Sequence, residues 1–168
     1  MAKFSSAAKL FYNWNAAETD YIVIGAEFKN GEFDLLPGEC NFFKEGKFIG
    51  RGKIQNLIES NQTVQLPLAV DSSIIATKRL IEQKSPKSKR ILLKYRLHLV
   101  SQKSPTKIEV LDILPFSNQP RAKIHLIEAQ PEPIQSQTGL LRWEVDLKNE
   151  WEAVYVIEIQ GVEAALSE

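Results

Sequence analysis

RILLKYRLHLVS, residues Arg90–Ser101, decides the fold class of this 168-residue chain. Ile91, Leu93, Tyr95, Leu97 and Leu99 fall on one side of a period-two pattern, and Lys94, Arg96 and His98 fall on the other. That alternation is the signature of a strand with one buried face. Just upstream, Ser72–Gln83 has the same character, and the polar Ser85-Pro86-Lys87-Ser88-Lys89 between the two reads as the tip of a long hairpin. Working outward, Tyr21–Phe28, Thr63–Leu68, Lys107–Leu114 and Lys123–Glu128 are further strand segments, with Pro67 favouring an edge or a strand end. Leu141, Trp143, Val145 and Leu147 alternate against Arg142, Glu144 and Asp146. After the Lys148-Asn149-Glu150 turn, Trp151, Ala153, Tyr155, Ile157 and Ile159 repeat the pattern.

About ten short strands with turn-rich connections imply an all-β chain, an antiparallel immunoglobulin-like β-sandwich. It forms either one sandwich or two packed sub-sandwiches with a sub-boundary near residues 84–90. The expected organisation is an N-terminal segment over residues 1–19, the sandwich over 20–162 and a tail over 163–168. Only Ala7–Tyr12 and the last six residues have helical character. There is no Cys…Trp…Cys arrangement, so an antibody-type domain is excluded.

The stretch LLPGECNFFKEGKFIG, Leu35–Gly50, reads as a turn and a hairpin. Pro37-Gly38 suits the centre of a type II turn, with glycine at the positive φ. Gly46 suits the left-handed position of a hairpin loop beside a bulge, and Gly50 and Gly52 mark a bend or a close backbone approach. No Gly-Lys-Ser/Thr ending follows, so this is not a phosphate loop.

A chain of this length buries roughly 70% of its unfolded surface and needs no disulfide or metal staple. The single cysteine, Cys40, allows no intramolecular disulfide and reads as a small buried hydrophobe. No apolar run is long enough for a signal peptide or a membrane-spanning helix. If the chain is complete, this favours the cytoplasm.

Basic and acidic residues balance at 21 each, but unevenly along the chain. Lys78, Arg79, Lys84, Lys87, Lys89, Arg90, Lys94, Arg96, Lys103 and Lys107 face one acid, Glu82, between residues 78 and 107. Either these bases are compensated by acidic C-terminal strands, or the strip binds a polyanion such as nucleic acid or anionic lipid. The strip lacks the interleaved exposed aromatics expected of a single-strand binder.

Three segments carry a family resemblance: the LPG hairpin above, Asp112-Ile113-Leu114-Pro115, and Gly139–Leu147 (GLLRWEVDL). Together they resemble the domain of unknown function found in the C-terminal part of mucoidy-inhibitor-A-like proteins. The likeness covers roughly Tyr21–Gln160. It implies an all-β module with no assigned activity.

No constellation points to chemistry. His98 and His125 lie mid-strand with no ligand-spaced neighbour, so no metal site is expected. There is no nucleophile elbow, and Cys40 has no evident histidine partner. Glu144, Asp146, Glu150 and Glu152 lie on outward strand faces. Asp112 shares a face with Ile108, Val110 and Leu114, which suggests partial burial and a need for donors. The readings are a cap on the Pro115–Asn118 turn, an ion pair with Arg96 or Arg142, or the acid of an undetected hydrolase. Trp143 and Trp151 read as core, and Trp14 as an exposed contact for a partner. The expectation is a non-catalytic protein-interaction or scaffolding module that needs no cofactor and associates with a protein partner or with itself. Its interaction residues are Trp14, Lys87, Lys89 and Arg90.

Overall fold

The computed structural model describes residues 7–44, 46–87, 89–102, 106–116, 121–136 and 139–161. Its elements are all strands: β1 (Ala8–Asn15), β2 (Ile22–Lys29), β3 (Gly38–Lys44), β4 (Lys47–Ile54), β5 (Thr63–Asp71), β6 (Ile74–Lys87), β7 (Arg90–Ser101), β8 (Thr106–Ile113), β9 (Lys123–Gln130), β10 (Leu140–Leu147) and β11 (Glu150–Gln160). The protein is all-β, with antiparallel sheets packed in sandwich-like fashion. It divides into two compact units, one formed by 1–13 and 22–72 and the other by 14–21 and 73–168. The division at 72/73 replaces the expected sub-boundary. Residues 84–90 are the turn end of the β6–β7 hairpin, where β6 and β7 remain paired to Lys87↔Arg90.

In the first unit, β1, β2 and β5 pair antiparallel in that order. Residues 8–15 are a strand and not the expected helix. Phe11, Tyr12 and Trp14 prefer the pleated surface, and an eight-residue segment nucleates no stable helix alone. The last six residues lie outside the described residues. The β2–β5 register slips between Ile24 and Gly25, where the partner passes from Ala69 to Pro67.

The β3–β4 ribbon lies across β5. Phe28, Ile54, Val64 and Leu66 are buried there, flanked by Leu35, Cys40, Phe42 and Ile58. A Cβ on Gly50 would stand 2.9 Å from the Leu68 carbonyl oxygen, and one on Gly52 would stand 3.3 Å from that of Pro67. The glycines therefore allow the ribbon to lie directly on the β5 backbone. Gly46 takes φ 77° at the hairpin loop, and the register slips between Phe42 and Phe43. The Pro37-Gly38 reading needs correction: Gly38 has no positive φ and is the first residue of β3, paired with Ile54. Because its amide joins that ladder, the bend precedes it.

In the second unit, β6, β7, β11 and β9 form a four-stranded antiparallel sheet, and β8 pairs with β10. The Ala16 N–H donates to the Leu111 carbonyl at 2.7 Å, which ties the chain after β1 to β8. The core contains Ile108, Val110, Leu141, Trp143, Val145 and Leu147 from β8 and β10. Facing them are Ala76, Leu97, Leu99, Ala153, Tyr155 and Ile157 from the larger sheet. Each large apolar side chain fully buried here contributes about 1.5–3 kcal/mol. Trp143 packs against both Trp151 and Tyr155, with ring centroids 6.2 Å apart in each case.

Candidate functional site

Asp112 is wholly buried between these layers. Its Oδ2 accepts the Tyr155 hydroxyl at 2.6 Å. Its Oδ1 accepts Lys78 Nζ at 2.7 Å and the Ile113 N–H at 2.8 Å. The expected cap and the arginine pairings give way to this arrangement, which joins β8, β6 and β11. Ser117 and Asn118 of the proposed cap lie outside the described residues. Arg142 instead bridges Glu109 at 2.6 Å and Glu144 at 2.9 Å, relieving two carboxylates that stand directly opposite each other. Arg96 turns outward to Glu152.

The partners of Asp112 had a sequence signal. Alternation from Ile74 and Ala76 places Lys78 on the inward face, and a buried tyrosine hydroxyl needs an acceptor. Burial, then the Asp112 charge and its hydrogen bond, push the Tyr155 phenol far above its ordinary range. Burial, then Asp112, also raises Tyr95. Tyr95 stacks on Tyr155 with centroids 5.4 Å apart, and Lys78 Nζ lies 5.1 Å from the Tyr95 ring centre. Lys78 and Tyr95 form the floor of an open cleft of about 510 Å³, with Glu18 and Asp20 on its rim. The Lys78 ammonium at that floor is already engaged by a carboxylate and a ring face.

Trp14, expected as an exposed contact, is fully buried, and its indole N–H donates to the Thr19 carbonyl at 2.9 Å. Trp14 is the one buried side chain of β1. Lys89 is exposed at φ 68°, and its carbonyl accepts the Gly161 N–H. Arg90 pairs with Glu158. The side chain of Lys87 lies outside the described portion. Trp14, being buried, therefore shares no exposed surface with Lys89 and Arg90.

The basic strip is answered by acids on the outer face of the sheet. Arg96 stands opposite Val154 but bonds Glu152, and His98 stands opposite Glu152 but lies 2.7 Å from Glu150. Arg90 stands opposite Gln160 and bonds Glu158. Each reaches the acid two residues back along β11, the same diagonal repeated three times, which lies within reach of long side chains on a twisted antiparallel pair. Lys84 pairs with Glu82, which also stands opposite Lys94. Bonds from Gln160 and Arg90 hold the Glu158 carboxyl below the usual carboxylate range.

A different surface occupies the outer side of the β3–β4 ribbon. Phe43 and Phe48 stand opposite each other, 63% and 55% exposed, with ring centroids 5.8 Å apart in an edge-on arrangement. The Arg51 guanidinium lies 6.0 Å from the Phe48 ring centre, and Asn41 stands opposite Arg51. Lys53, two residues beyond Arg51, is exposed toward the far end of the ribbon opposite Glu39, and Lys47 is exposed at its hairpin end. On the inner side, burial raises the Cys40 thiol above its ordinary value, so it is a poor nucleophile. Among the described residues no cluster of His, Cys, Asp and Glu could hold a metal ion, and no helix is long and apolar enough to cross a membrane.

No protein-family model, curated protein or solved structure matches the chain.

Proposed function

We propose that the chain is a non-catalytic, immunoglobulin-like β-module that acts by presenting strand surfaces to a partner; its resemblance to mucoidy-inhibitor-A-like C-terminal domains implies an all-β module with no assigned activity. The observation that carries this reading is how its polar groups are used. Asp112, the most deeply buried carboxylate among the described residues, accepts three donors, and both of its oxygens are engaged. Meanwhile large apolar side chains stay outside, among them Phe33, Leu36, Phe43 and Phe48 in the first unit and Phe116, Ile127 and Ile134 in the second. Two segments behind the resemblance are neighbours, which supports treating them as one motif: Leu141 stands opposite Asp112, and the Leu114 N–H donates to the Gly139 carbonyl.

Polyanion binding through Lys78–Lys107 has less support, because Lys78, Lys84, Arg90 and Arg96 already hold carboxylates. The hydrolase reading has less support because Asp112 has no solvent access. A screen of ester, phosphoester and glycoside substrates with the full chain is expected to show no turnover above buffer. Turnover that disappears in a folded Asp112→Asn variant would overturn the reading.

A further inference from the structure

The geometry points to the outer face of the β3–β4 ribbon as a binding site for single-stranded nucleic acid, with Phe43 and Phe48 as the base-stacking platform and Lys47, Arg51 and Lys53 as phosphate contacts. This rests on the reading of the chain as a non-catalytic binding module and names the site and the ligand class.

Two phenylalanines, each more than half exposed, stand side by side on a strand pair whose other face is packed on β5. Burial in the described fold does not account for them. Arg51 lies over the Phe48 ring, and both rings remain more than half exposed. Between Gly38 and Ile54 the sequence places four bases, Lys44, Lys47, Arg51 and Lys53, against the acids Glu39 and Glu45, in a chain with no net charge overall. Glu39 stands opposite Lys53 at the far end of the ribbon from the aromatic pair. Aromatic faces interleaved with cations are what an unstructured polynucleotide requires: bases stack on the rings and phosphates meet the ammonium and guanidinium groups. Asn41, opposite Arg51, adds an amide at the level of the base edges.

The same features select against other anionic partners. Bases in a duplex keep their π-faces stacked on one another, so exposed phenylalanines offer a duplex nothing that an unpaired strand does not use better. Inserting the rings of Phe43 and Phe48 into a bilayer would carry the Arg51 guanidinium, which lies over the Phe48 ring, toward the apolar layer.

The test is fluorescence anisotropy of a labelled oligothymidylate titrated with the full chain. Three phosphate contacts on a single strand predict a log–log salt slope of about −2. That corresponds to about a fifteen-fold loss of affinity between about 50 and about 200 mM salt. Stacking of about two bases predicts that Phe43→Ala/Phe48→Ala weakens binding by at least about thirty-fold. Phe48→Tyr should bind like the parent. Both rings are exposed, so the circular dichroism of these variants should match the parent and separate lost binding from lost fold. Four results would overturn the proposal: no binding at low salt, equal affinity for a duplex of the same length, parental affinity in the folded double variant, or phosphatidylserine vesicles captured in place of the oligonucleotide. Such a failure removes the ribbon's ligand alone. The non-catalytic reading fails only on Asp112-dependent turnover.

Discussion

Two surfaces of this protein carry lysine and arginine on antiparallel strands, and they have opposite fates. On the outer face of β7 and β11, Arg90, Arg96 and His98 each meet a glutamate on the same diagonal. On the outer face of β3 and β4, the position opposite Arg51 is Asn41, and the neighbouring cross-strand pair is two phenylalanines. The first surface neutralises itself, and the second leaves cations and rings together at the surface. The number of basic residues in a segment therefore says little about its partners. Whether a base bonds an acid within cross-strand or diagonal reach decides whether its charge is available.

The contrast can be broken at its strongest point first. Asp112→Ala leaves Lys78 and the Tyr155 hydroxyl without their acceptor, and should cost about 3 kcal/mol in denaturant unfolding. Binding by the ribbon should not change, and a loss of both would tie the two surfaces together. Gly50→Ala forces a Cβ against the Leu68 carbonyl, where backbone must move, and should cost about 1–3 kcal/mol. That variant should also weaken oligonucleotide binding by displacing the ribbon.

The charged and polar networks should show in pH dependence. The Tyr155 phenol is raised above its ordinary 10 in the folded chain, so the unfolded chain loses that proton first as pH rises. Stability should fall above pH 10, and Tyr155→Phe should flatten this alkaline limb. Glu158 is held below its ordinary 4.5, so its contribution is present above that value and lost as pH falls through the folded value. Glu158→Gln should shallow the acid limb measured by thermal melting. The smallest effect belongs to the ribbon's rings: Phe48→Ala should leave unfolding stability within about 0.5 kcal/mol of the parent, because the side chain is mostly exposed.

Period-two alternation made nearly the whole strand set legible, and Arg90–Ser101 falls on β7 residue for residue. The glycine readings also carried: Gly46 is left-handed, and Gly50 and Gly52 lie against β5. Residues 8–15 were misread because a short aromatic segment takes its conformation from the strand it pairs with, here β2. The burial of Asp112 was readable from its face, but its partners Lys78 and Tyr155 lie 34 and 43 residues away, and only the fold brings them in. The basic strip stood out in sequence because its acids lie on β11, roughly 50 to 70 residues downstream of their partners. Phe43 and Phe48 gave the reverse problem. Phenylalanine on a strand reads as core; Phe43 faces outward by simple alternation with the inward Phe42, and Phe48 does so because the register passes from Phe42↔Gly50 to Phe43↔Phe48.

The most direct test of the account is a side-by-side charge reversal read by oligonucleotide binding at low salt. Lys47→Glu/Lys53→Glu reverses the ribbon, and Arg79→Glu/Lys89→Glu reverses exposed bases of the β6–β7 hairpin. The ribbon variant should lose binding while the hairpin variant binds like the parent. Loss of binding in the hairpin variant with an unaffected ribbon variant would contradict the account.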